Sequence, residues 1–160
     1  MNTRFLLVAM VLLVMPGLVD GQEPGFRLQN LDHRWTTYRD IEGEQLTMLD
    51  FWATWCQPCL RSIPELNEIY NAYAERGVSL VGISVDGPRN QSKIKPFVSS
   101  MGVDYPILRD VNSELMSELN VTKVPTLLVF NAEGELVFLH EGFRPGDGEL
   151  LRGELDKLLN

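Results

Sequence analysis

The chain of 160 residues carries two cysteines, Cys56 and Cys59, with Gln57 and Pro58 between them. They follow a short apolar run and precede a helical pattern. Thiols at this spacing, on a strand-to-helix turn, can close a small disulfide ring and open it again. Such a pair takes up or gives away two electrons without rebuilding the fold, which points to thiol–disulfide exchange. Cys56 is expected just ahead of the first helical turn, where unpaired backbone N–H groups and the helix dipole favour a thiolate. It is the candidate nucleophile. Cys59, one turn further on and partly covered, is the candidate resolving thiol: a client is held on Cys56 and displaced by Cys59. Gln57 and Pro58 tune thiolate against disulfide, and about 30 mV in potential corresponds to about 1.4 kcal/mol.

A bridge closing so small a loop removes little entropy from the unfolded chain and stabilises weakly, so the pair is better explained by chemistry than by stapling. A structural zinc needs about four ligands. There is no second cysteine pair, and His33 and His140 are far from the motif in sequence. No metal and no cofactor beyond the pair itself is therefore expected. The two histidines read as surface or strand residues with no catalytic part. Trp52 reads as core packing under the motif. Trp55, beside Cys56, reads as part of a surface docking patch, since tryptophan is favoured at such contacts.

The elements that must position these thiols follow from periodicity. Gln45 to Trp52 is apolar enough to be a central strand. From Pro58, Leu60, Ile63, Leu66, Ile69, Tyr70 and Tyr73 recur at helical spacing until Gly77, a C-terminal stop. Pro58 suits the first turn, and Pro64 should kink the helix. Upstream, Phe26 to Leu28 and Arg34 to Tyr38 read as short strands around a turn at Asn30 to Asp32. Downstream come a strand from Val78 to Val85, a helix from Gln91 to Met101 interrupted or bent near Pro96, a short extended piece from Tyr105 to Leu108, and a helix from Asn112 to Leu119. Thr126 to Phe130 and Leu136 to His140 form a hairpin, and Gly148 to Leu159 an amphipathic closing helix. The order β, β, β, α, β, α, α, β, β, α predicts an α/β domain with right-handed crossovers, a sheet covered on both faces and an antiparallel hairpin at one edge.

At the start, Arg4 precedes the apolar run Phe5 to Met15 and then Pro16-Gly17. That run has the length of a signal-peptide core, with cleavage after Gly21; an uncleaved membrane anchor is the alternative. Residues 1–21 are thus read as a leader or anchor and residues 22–160 as one domain. The expected location is exported, in the periplasm or on the outer face of the cytoplasmic membrane. The net charge is −8, with no Lys/Arg cluster. This argues against nucleic acid and anionic lipid as partners, and leaves membrane contact to a retained N-terminal segment.

The segment Trp52-Ala53-Thr54-Trp55-Cys56-Gln57-Pro58-Cys59 resembles the active-site segment of the thioredoxin superfamily. Val124-Pro125-Thr126 precedes a strand where that superfamily places a cis-proline beside the cysteines, and Pro64 matches its helix-kinking proline. The two leading strands, the extra segment around Tyr105 to Asp110, the run Asn131 to Val137 and Glu141-Gly142 resemble the TlpA/ResA-like branch. The resemblance covers residues 24 to 160. It implies a thioredoxin-like three-layer sandwich: a mixed central sheet with helices on both faces, an N-terminal β extension and an inserted strand-helix segment. It also implies an exported or membrane-tethered thiol–disulfide oxidoreductase. Such a protein reduces oxidised client proteins, apocytochrome c among them, with electrons from a membrane thiol carrier.

The resemblance assigns further roles. A cis bond at Pro125 would expose the Val124 backbone to an extended client strand. Asp50 stands where thioredoxin keeps a buried acid. Desolvation would raise its pKa and let it accept the proton of Cys59; the alternative is an Asp bonding neighbouring backbone or solvent. The branch often carries a glutamate three residues after the second cysteine, where this chain has Ser62, and Glu65 does not inherit that place. Two rivals share the fold. A peroxiredoxin-type peroxidase would need Thr or Ser, preceded by Pro, where Ala53 stands. A copper-binding assembly chaperone expects a spacing one residue longer and a suitably placed histidine, for which His140 is the candidate.

Overall fold

In the strand Leu46–Trp52 every residue is buried, including Asp50, so it must lie between two neighbours and under both faces of a sheet. The computed structural model describes residues 24–160, and the leader or anchor expected over residues 1–21 lies outside them. The elements are β1 (Arg27–Asn30), β2 (Trp35–Thr37), β3 (Leu46–Trp52), α1 (Gln57–Tyr73), β4 (Val78–Ser84), α2 (Gln91–Met101), β5 (Ile107–Arg109), α3 (Glu114–Glu118), β6 (Thr126–Asn131), β7 (Leu136–Glu141) and α4 (Asp147–Leu158). They form one seven-stranded sheet in the order β2-β1-β5-β4-β3-β6-β7. β3, β4 and β5 run parallel, and every other pairing is antiparallel. The β6–β7 hairpin closes one edge and the N-terminal β1–β2 pair the other.

The extended piece near Tyr105 proves to be a full strand, β5. It is too short for periodicity to show, and its identity comes from pairing with β4 on one side and β1 on the other. Pro96 does not interrupt α2. It sits on the exposed side, where water can take the carbonyl that its missing N–H leaves free. α3 is shorter than its apolar pattern suggests. Ser113 before it has φ 55°, and the buried Asp110 carboxylate instead accepts the amides of Glu114 (2.9 Å), Leu115 (3.3 Å) and Met116 (2.8 Å). α1 passes through Pro64 and ends in a 3₁₀ turn at Ala74–Arg76, with Gly77 left-handed at φ 79°.

Alternation along β3 sends Met48, Asp50 and Trp52 to one face. There Trp52 stacks on Phe97 of α2 at 5.3 Å between ring centroids, while Asp50 borders a small cavity with Ser62 and Leu66 of α1 and Leu151 of α4. On the other face Thr47 pairs with Phe130. Phe130 meets Tyr38 edge-on, and Tyr38 in turn meets Phe26. The N-terminal extension therefore seals the face that α1 and α4 leave open.

Candidate functional site

β3 ends at Trp52, and the chain turns through Ala53 to Trp55 before Cys56 opens α1. Cys56 is the N-cap of that helix: its backbone is extended, and its Sγ accepts the N–H of Cys59 at 3.2 Å. A helix start offers unpaired donors, and here one of them is already aimed at the sulfur. The two cysteines form a disulfide with Cα atoms 5.3 Å apart. Both are buried, Cys56 at 4% exposure and Cys59 at 1%, whereas the neighbouring Trp55 is 60% exposed. Gln57 is exposed and Pro58 half-buried in the first turn.

The loop is fastened from β4. Asp86, fully buried, accepts the Thr54 N–H at 2.9 Å, the Thr54 hydroxyl at 2.7 Å and the Ser84 hydroxyl at 2.9 Å. The Val85 N–H also donates to the Trp52 carbonyl at 2.9 Å. Sequence reasoning passes over Asp86 as a turn residue after a strand. The available signal is a carboxylate placed two residues beyond Ser84, which pairs with Trp52 at the end of β3.

Asp50 lies at the middle of the sheet, 2% exposed, and its Oδ2 has no hydrogen-bond partner among the described residues. Burial pushes its carboxyl up to about 7. Tyr105 faces it electrostatically, and burial together with the Asp50 charge raises that phenol well above its ordinary value. Val124–Pro125 is a cis peptide. Pro125 directly precedes Thr126, the partner of Phe51, so it stands at the end of β3 from which the cysteine loop departs. Its carbonyl accepts the Gly142 N–H at 2.8 Å, and it borders the same cavity as Asp50. Val124 is half-buried.

Ser62, in the place where a glutamate was the pattern, is buried and donates its hydroxyl to the Cys59 carbonyl at 3.0 Å. Glu65 is held instead by Arg152 of α4 at 3.2 Å. His33 is exposed on the turn after β1, away from the thiols. His140 is different. It lies on β7, half-buried, with Nε2 2.9 Å from Asp147, and borders the Asp50 cavity. Among the described residues there is no group of three or more His, Cys, Asp or Glu side chains arranged to hold a metal ion. No helix among them is long and apolar enough to cross a membrane.

Comparison with known proteins agrees with this geometry. The AhpC/TSA family matches residues 19–139. The chain is 30% identical over 121 residues to the thiol-disulfide oxidoreductase ResA of Halalkalibacterium halodurans, covering 76% of this chain and 67% of that protein. It is 33% identical over 107 residues to the sporulation thiol-disulfide oxidoreductase A of Bacillus subtilis, covering 61% of this chain and 65% of that one. The match thus spans about two thirds of the length of these relatives. Among solved structures, a thioredoxin-like protein of Porphyromonas gingivalis superposes with a TM-score of 0.72 at 28% identity, over 87% of this chain and 92% of the other.

Proposed function

Since the chain belongs to the AhpC/TSA family and has a thioredoxin-like fold, we propose that it is an exported thiol–disulfide oxidoreductase that reduces the disulfides of client proteins. The observation that carries this reading is the cap: the Cys56 sulfur closes the start of α1 and accepts the Cys59 amide, three residues away. The same donor favours a thiolate once the bridge is open.

In the reduced protein, the Cys56 thiolate attacks one sulfur of a client disulfide. That bond breaks, one client sulfur leaves as a thiolate, and the other stays on Cys56. Cys59 then attacks the Cys56 sulfur, giving its proton to the Asp50 carboxylate, and the client departs with both of its sulfurs reduced. The protein is left with the Cys56–Cys59 disulfide and needs two electrons from another dithiol, supplied outside the cytoplasm by a membrane thiol carrier. Trp55, Gln57 and Pro58 form the contact rim, and the Val124 backbone before Pro125 receives the client strand. Apocytochrome c is a client class that fits this chemistry. No cofactor enters the cycle. The place of action is the periplasm or the outer face of the cytoplasmic membrane, with residues 1–21 as leader or anchor.

The test is trapping. Cys59→Ser should hold clients on Cys56 as mixed disulfides that dithiothreitol releases, and Cys56→Ser should hold none. A redox titration of the unaltered protein should show one reversible two-electron couple; absence of that couple would end this reading.

A further inference from the structure

Asp50 is sealed in the sheet, yet a proton acceptor that turns over must return its proton to water. The cavity beside it shows one way out. It measures about 10 Å³, the space of about one water molecule. Asp50 and His140 are the two titratable residues among the nine that line it. Ser62, whose hydroxyl donates to the Cys59 carbonyl, forms another part of the wall, so one hydrogen bond links the cavity wall to the backbone of the resolving cysteine. Asp50 Oδ2 is buried and unpartnered, a polar atom with capacity for a water in that space.

We propose that His140, held by Asp147, is the outlet through which Asp50 passes to solvent the proton it takes from Cys59. This rests on the reading of Asp50 as the acceptor. The proton leaves Cys59 for the Asp50 carboxylate, crosses one water to the His140 imidazole, and the imidazolium loses it to bulk water. No bond other than O–H, N–H and S–H changes along the way. His140 is suited to the task by its position on the edge strand β7, with a side chain 20% exposed. It reaches the cavity on one side and solvent on the other. Asp147, at the start of α4, orients the ring through Nε2 at 2.9 Å. Burial works against the charge of Asp147, but hydrogen bonds from His140 and the Arg144 N–H outweigh it and hold that carboxyl below its ordinary range. The charged or titratable groups facing this path are Asp147 from α4 with the Arg144 charge acting on it, Asp50 from β3 and Tyr105 beyond it. Glu141, next in sequence to His140, is engaged by Lys123. His140 is a positioning and proton-exchange residue that does not touch the client.

Stopped-flow reaction of the reduced protein with a limiting aromatic disulfide (DTNB) separates the two steps. The first thiolate released reports attack by Cys56, the second resolution by Cys59. In weak buffer at pH 6, where Asp50 starts mostly protonated and must lose its proton before it can accept that of Cys59, His140→Gln should leave the first step unchanged and slow the second about tenfold, less than the 10²–10⁴ typical of a direct general base. Added imidazole should restore the rate in a concentration-dependent manner. Asp147→Asn, a second variant less disturbing to β7, should slow the same step several-fold, with the same rescue. Asp50→Asn should slow it without rescue. If His140→Gln and Asp147→Asn resolve at the unaltered rate from pH 5 to 9 while Asp50→Asn is slow, the outlet is wrong and the acceptor stands. If Asp50→Asn is also unaltered, the acceptor reading fails and the outlet falls with it. A slow second step without imidazole rescue would mean a packing role for His140 and would also overturn the proposal.

Discussion

Asp86 binds Thr54 twice, through the backbone N–H at 2.9 Å and the hydroxyl at 2.7 Å, across 32 residues of sequence. This fastens the loop that delivers Cys56 to the end of β4, so the thiol is positioned by a strand that carries no cysteine. Both partners lie where bulk water competes poorly, and the carboxylate has a third donor in Ser84. Removing it leaves three donors unsatisfied. Asp86→Ala should cost about 3 kcal/mol in chemical denaturation, within the range for losing hydrogen bonds to a buried charge. It should also slow attack by Cys56 several-fold. A variant with unaltered stability and an unaltered first step would show that the loop holds its own shape.

Asp50 should leave a signature in stability against pH. Its carboxyl titrates at about 7 in the fold against 3.8 when unfolded, because burial disfavours the charge. Below about pH 4 both states hold the proton. Between about 4 and 7 the folded protein keeps a proton that the unfolded chain has lost, so the contribution of Asp50 to stability falls as pH rises. The fall is about 1.4 kcal/mol per unit and on the order of 4 kcal/mol in all, and it stops above about 7. Asp50→Asn lacks this dependence. Urea denaturation of the oxidised protein should show the variant gaining on the unaltered chain by a few kcal/mol between pH 4 and pH 8. A constant difference between the two proteins over that range would place the Asp50 carboxyl in water.

Much of this was legible in the chain because the chemistry and the folding signals coincide there. The cysteine spacing, the apolar strand before it and the helical period after it all concern the same stretch, Gln45 to Tyr73. The sequence patterns around Pro125 and Asp50 pointed to their places through resemblance. What was not legible depends on contacts between distant segments. β5 is three residues long and is defined by its neighbours. Asp86 and Asp110 look like ordinary turn residues until β3 and α3 bring amides to them. His140 alternates along an edge strand like any half-exposed residue, and only the packing of α1 and α4 gives it a cavity in common with Asp50. The loss of the usual glutamate at Ser62 was visible, but its hydrogen bond to Cys59 was not.

Trp55 should matter for protein clients and not for the fold. It is 60% exposed beside a buried disulfide, so in the proposed cycle a client approaching Cys56 would cover it, while removing it opens no cavity. Trp55→Ala should slow reduction of a folded protein disulfide about tenfold, as for a contact worth about 1–2 kcal/mol. It should leave the reaction with a small aromatic disulfide within about twofold and stability within about 0.5 kcal/mol. Equal slowing with both substrates would place Trp55 in control of the sulfur itself.

Asp110 offers the converse separation, stability without chemistry. Its carboxylate is buried and accepts three amides of α3, at 2.8 to 3.3 Å. Helix α3 has five residues, too few to form by its own propensity. The Ser113 before it makes no side-chain cap bond, so among the described residues it is the Asp110 side chain that ties the start of this helix to the end of β5. Asp110→Ala should cost about 2–3 kcal/mol, more than an exposed cap because the freed amide of Leu115 is buried. The residue lies after β5, with β4 between it and the β3–β6 pair that frames the thiols and Pro125; its N–H donates to the Ser84 carbonyl at 2.8 Å, a backbone bond that replacing the side chain leaves in place. The reduction potential, read by equilibration with glutathione at a temperature where the variant is folded, should therefore stay within about 10 mV, less than 1 kcal/mol for two electrons. A larger shift would mean that α3 and the disulfide are coupled through the sheet, and that the rigidity of the site extends beyond the contacts of Asp86.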